Sequence, residues 1–538
     1  MLSRRMLFPT LASPLLAQTR KPNIVLILTD DQGYGDLSLH GNTKLATPNI
    51  DSIARDGATF TRFCSSPVCS PTRSSLLTGR YNYRTGVVDT YLGRSMMRTE
   101  EITLAEMLKP AGYRSGIFGK WHLGDNYPLR SIDQGFDDSL VLNGGGLMQP
   151  GDVPEALSGI APSYTDPLLS RNGKWEPQKG YCTDIYFREA LRFIDENRSR
   201  PFFCYLPTNA PHTPLQIAEE WVEPFRKLGL DDTTAKIYGM ISNVDSNVGK
   251  LLAHLKTRNL DQDTILIFMT DNGPQQKRFN AGLRGLKGST YEGGVRVPLL
   301  VRWPKRIAKG TVVDRLAAHI DLTPTLLEAS TTSTKASLDG RSLLPLLTDP
   351  KAKDTWSDRT VFLQWHRGDE PRPFENSAVL TQRYKLVNGK ELYDLESDPS
   401  ESKDIAVAQS NTVRQLRMSY DAWFKDVGAT GFAPPRIVVN SNSSTLLTRQ
   451  DWRGSQATWD ADGVGHWEVD VQHTGPFDVT LLFDAPTEDT QLTTNLLGKH
   501  PITRGQTRLD LKAVTMPLGK ARFEALVGAK GLKYAYIR

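Results

Sequence analysis

The chain lacks the features that mark several protein classes. Among its 538 residues it has only four cysteines, and no two of them form a Cys-x-x-Cys metal motif. A scaffold held together by many disulfides is therefore excluded. If Cys69 is chemically modified, the other three cysteines allow at most one disulfide. Cys204 lies in the apolar run Pro201–Pro207 and is expected to be a buried thiol.

Neither an excess of charge nor a long hydrophobic run is present. The chain has 65 Lys and Arg against 60 Asp and Glu, which gives a net charge of +5. This balance indicates no basic surface for nucleic acid, although it would tolerate an acidic substrate. No stretch is apolar for long enough to cross a bilayer, so we expect no membrane span. We find no internal repeat.

The N-terminus has the pattern of an export signal. Arg4-Arg5 precedes the moderately apolar run Met6–Leu16, and Ala17 offers a cleavage site. The paired arginines and weak apolar segment resemble a twin-arginine signal. The alternative is a disordered tail. We predict a signal peptide over residues 1–17 and an exported protein, periplasmic or extracellular.

Alternating strand and helix patterns predict an α/β fold over the first two thirds of the chain. Asn23–Thr29 and Ile265–Thr270 are continuous apolar runs, typical of strands buried on both faces of a parallel sheet. Weaker strand signals lie at Tyr113–Phe118, Phe202–Leu206 and Pro298–Arg302. Helices are predicted at Leu104–Lys109, Cys182–Asn197 and Thr233–Arg258. Together these patterns indicate a mixed, mostly parallel sheet flanked by helices.

The pattern changes near Trp356, and the length alone predicts two or three domains. Short strands at Val361–Gln364, Ala378–Leu386 and Glu391–Leu395, with a helix at Arg414–Val427, indicate a smaller antiparallel α+β subdomain. Beyond Pro435 only alternating strand patterns remain, which predicts an appended all-β sandwich. We expect a catalytic α/β domain over residues 22–350, the subdomain over 351–428 and the sandwich over 436–538.

Acidic residues follow the two strongest strand predictions. Asp30 and Asp31 come directly after the first strand, and Asp271 and Asn272 come directly after the Ile265–Thr270 strand. In open α/β sheets the site lies beyond these strand ends. Carboxylates brought together there would repel each other, and a hard cation such as Ca²⁺ or Mg²⁺ resolves the repulsion. The alternative is that these are ordinary turn and cap residues.

The most informative motif begins at Cys69, in the run Cys69-Ser70-Pro71-Thr72-Arg73, which continues to Leu76-Leu77-Thr78-Gly79-Arg80. Pro71 suits the first turn of a helix and Gly79 suits its end, so Cys69 should lie at a helix N-terminus that favours an anion. Arg73, one turn later, would point to the same end. The alternative is a cysteine at the start of an ordinary helix.

Three short loops carry further candidate side chains. Gly119–Gly124 contains Lys120 and His122, which would face the same way in extended chain. His212 lies in the proline-stiffened loop Asn209–Pro214. Lys287 precedes a glycine in the loop Leu286–Gly294, where the backbone could approach a ligand closely. A lone Lys or His is usually solvated, but the flanking Gly and Trp indicate that Lys120 and His122 are held in place. The alternative for Lys287 is a solvated loop residue.

These segments, in this order, resemble the type I, formylglycine-dependent sulfatases of the alkaline phosphatase superfamily. The resemblance covers roughly residues 22–404 and includes Tyr393–Glu401 near its end. It implies that a maturation enzyme converts Cys69 to formylglycine. It further implies one Ca²⁺ held by residue 69 and by Asp30, Asp31, Asp271 and Asn272. Residue 69 would be joined in a catalytic pocket by Arg73, Lys120, His122, His212 and Lys287.

The resemblance implies hydrolysis of an organic sulfate ester, with a sulfated carbohydrate as the expected substrate. A hydrated aldehyde at residue 69 would attack sulfur, and His212, with Lys287, would protonate the leaving alcohol. His122 would then deprotonate the second hydroxyl and release sulfate. Candidate specificity residues, each of which could be plain surface, are Arg94, Arg98, Arg278 and Trp365-His366-Arg367.

Two other functions remain open from the sequence. One is a phosphonate or phosphate monoester or diester hydrolase of the same superfamily, because its anion would suit the same pocket. The other is a non-catalytic glycan-binding protein that acts through the terminal β-sandwich.

Overall fold

A ten-stranded mixed sheet forms the centre of the molecule. The computed structural model describes residues 21–157 and 164–538, so the predicted signal peptide lies outside the described residues. The strand order is β11-β2-β10-β9-β1-β8-β4-β5-β6-β7. These strands are β1 (Asn23–Thr29), β2 (Ala58–Phe60), β4 (Arg114–Lys120), β5 (Asp138–Leu142), β6 (Leu168–Arg171), β7 (Lys174–Pro177), β8 (Phe202–Pro207), β9 (Thr264–Thr270), β10 (Leu299–Arg302) and β11 (Thr311–Val313); the short β3 (Phe63–Cys64) pairs separately with β12 (Ala317–Ala318).

Helices cover both faces of this sheet. On β1, Leu26 and Leu28 point into one apolar core while Val25 and Ile27 point into the other, so the strand is buried on both sides. The helices are α1 (Pro48–Arg55), α2 (Cys69–Thr78), α3 (Leu104–Leu108), α4 (Pro154–Leu157), α5 (Cys182–Asn197), α6 (Glu219–Lys227), α7 (Asp232–Thr257), α8 (Glu292–Val295), α9 (Leu322–Ala329), α10 (Leu344–Thr348) and α11 (Ala352–Thr355).

The predicted mixed, mostly parallel α/β sheet is confirmed. The five central strands β9, β1, β8, β4 and β5 run parallel, while β10, β6 and β7 are antiparallel to their neighbours. Because β1 and β9 pair in register, Thr29 opposite Thr270, they end at the same edge of the sheet. The acidic residues that follow the two strands are therefore brought together.

A four-stranded antiparallel sheet follows, as predicted. Its strands are β13 (Val361–Gln364), β14 (Ser377–Leu380), β15 (Tyr384–Val387) and β16 (Glu391–Asp394), and the helix α12 (Ser410–Val427) packs on it. The single strand predicted at Ala378–Leu386 is wrong. It is a hairpin in which the Thr381 N–H donates to the Tyr384 carbonyl at 2.8 Å. The turn has no Gly or Pro to mark it in the sequence.

The C-terminal strands form two sheets around one apolar core. Trp467 and Phe523 from one sheet share this core with Leu481 and Ile537 from the other. The first sheet contains β17 (Ile437–Val439), β19 (His466–Val471), β21 (Thr490–Thr494), β22 (Gly498–Ile502), β24 (Gly519–Val527) and β25 (Lys530–Gly531). The second contains β18 (Thr445–Thr448), β20 (Phe477–Leu482), β23 (Arg508–Val514) and β26 (Tyr534–Ile537).

The apolar core of this C-terminal region also contains residues from the α/β part of the chain. Leu92, Met96 and Leu129, which precede β5 in the α/β part of the chain, are buried in the same apolar cluster as Trp467. The two parts therefore pack as one body at this contact. Within the described residues, no helix combines the length and the apolar character that crossing a membrane would need.

Candidate active site

The acidic residues at the sheet edge meet the start of α2. Asp30, Asp271 and Cys69 each offer a ligand atom, and these atoms lie within 4.8 Å of one another; Asp30, Asp31 and His212 form a second such group. The Cys69 Sγ is 3.7 Å from Asp30 Oδ1. All five side chains are buried. The structure thus brings Cys69 and the three acidic residues together at the sheet edge, where the sequence predicts a cation site.

Arg73 links the helix to the carboxylates. The helix α2 starts at Cys69 and ends before Gly79, which has a positive φ of 70°, as predicted. The fully buried guanidinium donates to Asp271 Oδ2 at 2.9 Å and lies 3.5 Å from Asp30 Oδ2. Its other Nη donates to the Lys120 carbonyl at 3.1 Å. Arg73 thus fixes the position of α2 against both strands.

Two lysines complete the cationic surroundings of the acids. Lys120, the last residue of β4, places Nζ 2.6 Å from Asp30 Oδ2. Lys287 places Nζ 2.7 Å from Asp31 Oδ1. Burial by itself would raise the pKa of Asp30, but Lys120 and the other cations around it hold that pKa well below its usual range. Asp30 is therefore ionised.

The Cys69 thiol is a poor nucleophile in this setting. Burial raises the pKa of Cys69 to about 12, because exclusion of water penalises the thiolate more than Lys120 and Lys287 stabilise it. Burial, followed by the negative charge of Asp30, likewise raises the pKa of Asp271 to about 7. An unmodified Cys69 is thus held as a neutral thiol.

His122 is held by a backbone carbonyl. The φ of His122 is 62°, so the chain is not extended here and the prediction that Lys120 and His122 face one way in extended chain is wrong. The Nε2–H donates to the Thr90 carbonyl at 2.7 Å, while Nδ1 is buried and has no hydrogen-bond partner among the described residues. Burial, with Lys120 and Arg73 nearby, lowers the pKa of His122 well below its usual value.

His212 is oriented in a similar way. Its Nδ1–H donates to the Thr213 carbonyl at 2.6 Å, and Nε2 lies 3.7 Å from Asp31 Oδ2. Burial, with the positive charge of Lys287, lowers the pKa of His212. Both histidines are therefore neutral, and each has one ring nitrogen left to exchange a proton.

These groups line a cavity of about 250 Å³. From the predicted set the lining contains Cys69, His122, His212 and Lys287, and from the specificity candidates it contains Arg367. The sequence reading missed the remaining lining residues, which are Thr90, Tyr91, Gly145, Gln149 and Trp459.

Some of the missed residues had a signal in the sequence, and others had none. The glycine run 144–146 follows the end of β5, and a Cβ on Gly145 would lie 2.9 Å from the His122 ring. This run could have been recognised as a site loop. Trp459 lies far along the chain, in the C-terminal region, and nothing local marks it.

The other specificity candidates have partners of their own. Arg94 pairs with Asp369 at 2.8 Å, and Arg98 donates to Thr430 Oγ1 at 2.6 Å. Arg278 is buried in an ion pair with Asp36 at 2.6 Å.

The acidic residues supply the oxygen donor atoms that a hard divalent cation prefers. Asp30, Asp31 and Asp271 supply carboxylate oxygens, and Asn272 Oδ1 is buried with no hydrogen-bond partner in the described part of the chain. The other amide atom of Asn272 donates to Asp31 Oδ1 at 2.8 Å, which holds Asn272 against the carboxylates. An all-oxygen set of this kind suits Ca²⁺ or Mg²⁺.

Comparison with known proteins identifies the family. Residues 22–332 match the Sulfatase family model, and residues 286–422 match the N-sulphoglucosamine sulphohydrolase C-terminal model. The chain belongs to the sulfatase family. It is 32% identical to human N-acetylgalactosamine-6-sulfatase over 379 residues, which is 65% of this chain and 69% of the relative. It is 33% identical to human arylsulfatase A over 469 residues, which is 81% and 89% of the two chains.

Solved structures agree with this assignment. The crystal structure of Ps i-CgsB in complex with k-i-k-neocarrahexaose has a TM-score of 0.67 and 31% sequence identity, and the match covers 75% of this sulfatase and 93% of that chain. A phosphonate monoester hydrolase of Agrobacterium radiobacter, at 22% identity and a TM-score of 0.56, shares the fold. This sulfatase is therefore a sulfuric ester hydrolase, and the phosphonate or phosphate alternative is not favoured.

The carboxylate cluster leads to a prediction about metal content. Asp271→Asn keeps the shape of the side chain but removes one charged ligand, so we expect metal affinity to fall by about a hundredfold or more, with activity lost in parallel. Elemental analysis of the purified variant measures this loss. Asp195→Asn, on the outer helix α5, is the matched control and should retain the metal. Unchanged metal content in Asp271→Asn would refute the site.

Proposed function

We propose that this sulfatase removes sulfate from a sulfated carbohydrate, with residue 69 as formylglycine and with Ca²⁺ as the metal. The relatives support the substrate class, because their names include N-acetylgalactosamine-6-sulfatase and a structure solved with a neocarrahexaose. We further propose that the protein is exported through the predicted signal at residues 1–17. A formylglycine-generating maturation enzyme would then be its processing partner.

One observation carries this proposal. Residue 69 lies at the start of α2, on the wall of the cavity, next to the acidic metal-binding set and among the cations Arg73, Lys120 and Lys287. A sulfate ester would bring negative oxygens into this cavity. The cations would stabilise the charge that builds up on those oxygens in the transition state.

The need for an oxidised residue 69 follows from the site. Burial raises the pKa of the Cys69 thiol to about 12, which disfavours the thiolate as a nucleophile. An aldehyde hydrate offers a hydroxyl nucleophile, and its second hydroxyl allows sulfate to be released afterwards. Ca²⁺, held by Asp30, Asp31, Asp271 and Asn272, would supply Lewis-acid polarisation of the sulfate oxygens.

The two histidines suit opposite proton transfers. His122 keeps Nδ1 unprotonated because Nε2–H is committed to Thr90 and its pKa is low, so we assign it the role of base. His212 Nε2 lies at the cavity beside Asp31, and the negative charge of a bound sulfate would favour its protonation. We assign it, with Lys287, to protonation of the leaving alcohol.

Sulfate release from defined glycans tests the substrate class. We expect turnover of at least one of a set of sulfated mono- and oligosaccharides from chondroitin sulfate, heparan sulfate and carrageenan, measured as free sulfate. Nitrophenyl sulfate is the positive control for a competent enzyme, and nitrophenyl phosphate tests the alternative ester. Hydrolysis of nitrophenyl sulfate with no turnover of any glycan would refute the carbohydrate assignment while leaving the sulfatase activity intact.

The modification is tested directly on the peptide. In active protein, the peptide that contains Cys69 should have the mass of an aldehyde in place of the thiol, measured by mass spectrometry. Cys69→Ala should abolish turnover without unfolding the chain, because the site is a helix start. Cys204→Ala is the matched control at another buried cysteine and should keep the aldehyde. Full activity with an unmodified Cys69 would contradict the proposal.

The histidine roles predict different failures. His212→Ala should slow sulfur transfer by about a hundred- to ten-thousandfold, and the loss should shrink with nitrophenol as leaving group, since it needs little protonation. His122→Ala should instead accumulate protein heavier by one covalent sulfate after substrate addition, as measured by intact mass. His473→Ala, in the C-terminal region, serves as control. A sulfate adduct on the His212 variant alone would reverse the assignment.

A further inference from the structure

One wall of the active-site cavity comes from the C-terminal β region. Trp459 lies in the connection between β18 and β19, yet it lines the cavity together with Cys69 and His122. The two sulfatase family matches end at residue 422, so this side chain lies outside both. The C-terminal sheets thus supply a surface that the family core does not contain.

Trp459 also lines a second, larger cavity of about 740 Å³. Gln149 borders the smaller cavity and the adjacent Pro150 borders the larger one, so the same core segment passes along both. Trp459 therefore lies at the border between the site that holds residue 69 and the larger cavity. Such an arrangement lets a ligand extend beyond the group whose sulfate is cleaved.

The segment that carries Trp459 is held firmly. The buried guanidinium of Arg449 donates to the carbonyls of Trp459 and Asp460 on one side, and to the carbonyls of Gly531 and Leu532 on the other. The indole also packs edge-on against Tyr91 with ring centroids 5.2 Å apart. A side chain fixed in this way loses little conformational entropy when a ligand contacts it.

The C-terminal region also contacts the backbone carbonyl that orients His122. Gln450 Nε2 donates to the Thr90 carbonyl at 3.0 Å, and this carbonyl also accepts the His122 Nε2–H. Arg453 donates to the Gly93 carbonyl at 2.7 Å. The C-terminal region therefore fixes the loop 90–93, which lines the cavity next to Trp459, and does not act as a separate module.

The larger cavity has the composition of a sugar-binding groove. Its lining contains the half-buried ring of Trp459, the largely buried rings of Phe483 and Tyr534, and the charged groups of Asp484 and Lys533, which form an ion pair at 2.5 Å. Aromatic faces contact the apolar C–H faces of sugar rings, and the charged groups can hydrogen-bond ring hydroxyls. Arg367, over the ring of Tyr91 at 4.8 Å, adds a cation at the cavity edge.

We propose that Trp459 is a substrate-binding residue for the sugar next to the sulfated one, and that the larger cavity holds the following sugars. This inference rests on the proposed function and narrows it to sulfated glycans of several sugars. Trp459 would present its indole face as a platform, and it would not take part in the proton transfers. A longer glycan should thus be preferred to its shortest sulfated fragment.

The test compares a hexasaccharide and a disaccharide of the same sulfated glycan, drawn from carrageenan and chondroitin sulfate, with the full-length modified enzyme. Trp459→Ala should lower kcat/KM for the hexasaccharide by about tenfold to a hundredfold, mostly through KM, because a buried aromatic contact is lost. The disaccharide should lose much less. Trp459→Phe should recover most of the loss, and Trp175→Ala, on the outer strand β7, is the control.

A second variant keeps the test independent of the folding of Trp459→Ala. Ala485 is exposed on the wall of the larger cavity, so Ala485→Trp should block the groove and lower hexasaccharide turnover selectively. Equal losses on both glycan lengths, or no loss in either variant, would overturn the subsite. If the wild-type enzyme hydrolysed nitrophenyl sulfate but neither glycan, the proposed carbohydrate substrate would be refuted. The subsite proposal, which depends on that substrate, would then be refuted as well.

Discussion

The site depends on the crowding of acidic side chains at one edge of the central sheet. Because β1 and β9 are parallel neighbours in register, Asp30 and Asp271 emerge side by side, and both are completely buried. Such charges are tolerated only where opposite charge compensates them. Arg73 and Lys120 supply part of that compensation, and the oxygen donors that remain suit a divalent cation.

The surrounding architecture follows from that requirement. Arg73 reaches the carboxylates from the first turns of α2. These contacts hold the N-terminal end of α2, and therefore residue 69, beside the acidic residues. Lys120 must lie at the end of β4, two strands from β1 in the sheet order. The same electrostatic arrangement that stabilises the buried acids is the one that would stabilise a sulfate in transfer.

The C-terminal sheets shape one wall of the active-site cavity but supply none of the residues assigned to the reaction. They bury Leu92 and Met96 in their own core and bond to the Thr90 carbonyl through Gln450, so the loop beside His122 is shaped by both parts of the chain. This contact offers a route by which an added β region could set which substrates enter a sulfatase site. A family core and an appended region can thereby divide reactivity and selectivity between them.

The sequence by itself determined the family and the α/β class and supplied the candidate site residues, because these depend on local patterns. Continuous apolar runs marked β1 and β9, and Pro71 and Gly79 marked the ends of α2. Long-range contacts carry no such mark. Only the tertiary structure decided three features: the left-handed backbone at His122, the turn after Leu380 and the placement of Trp459 beside Tyr91. Each of them depends on segments that are distant in the chain.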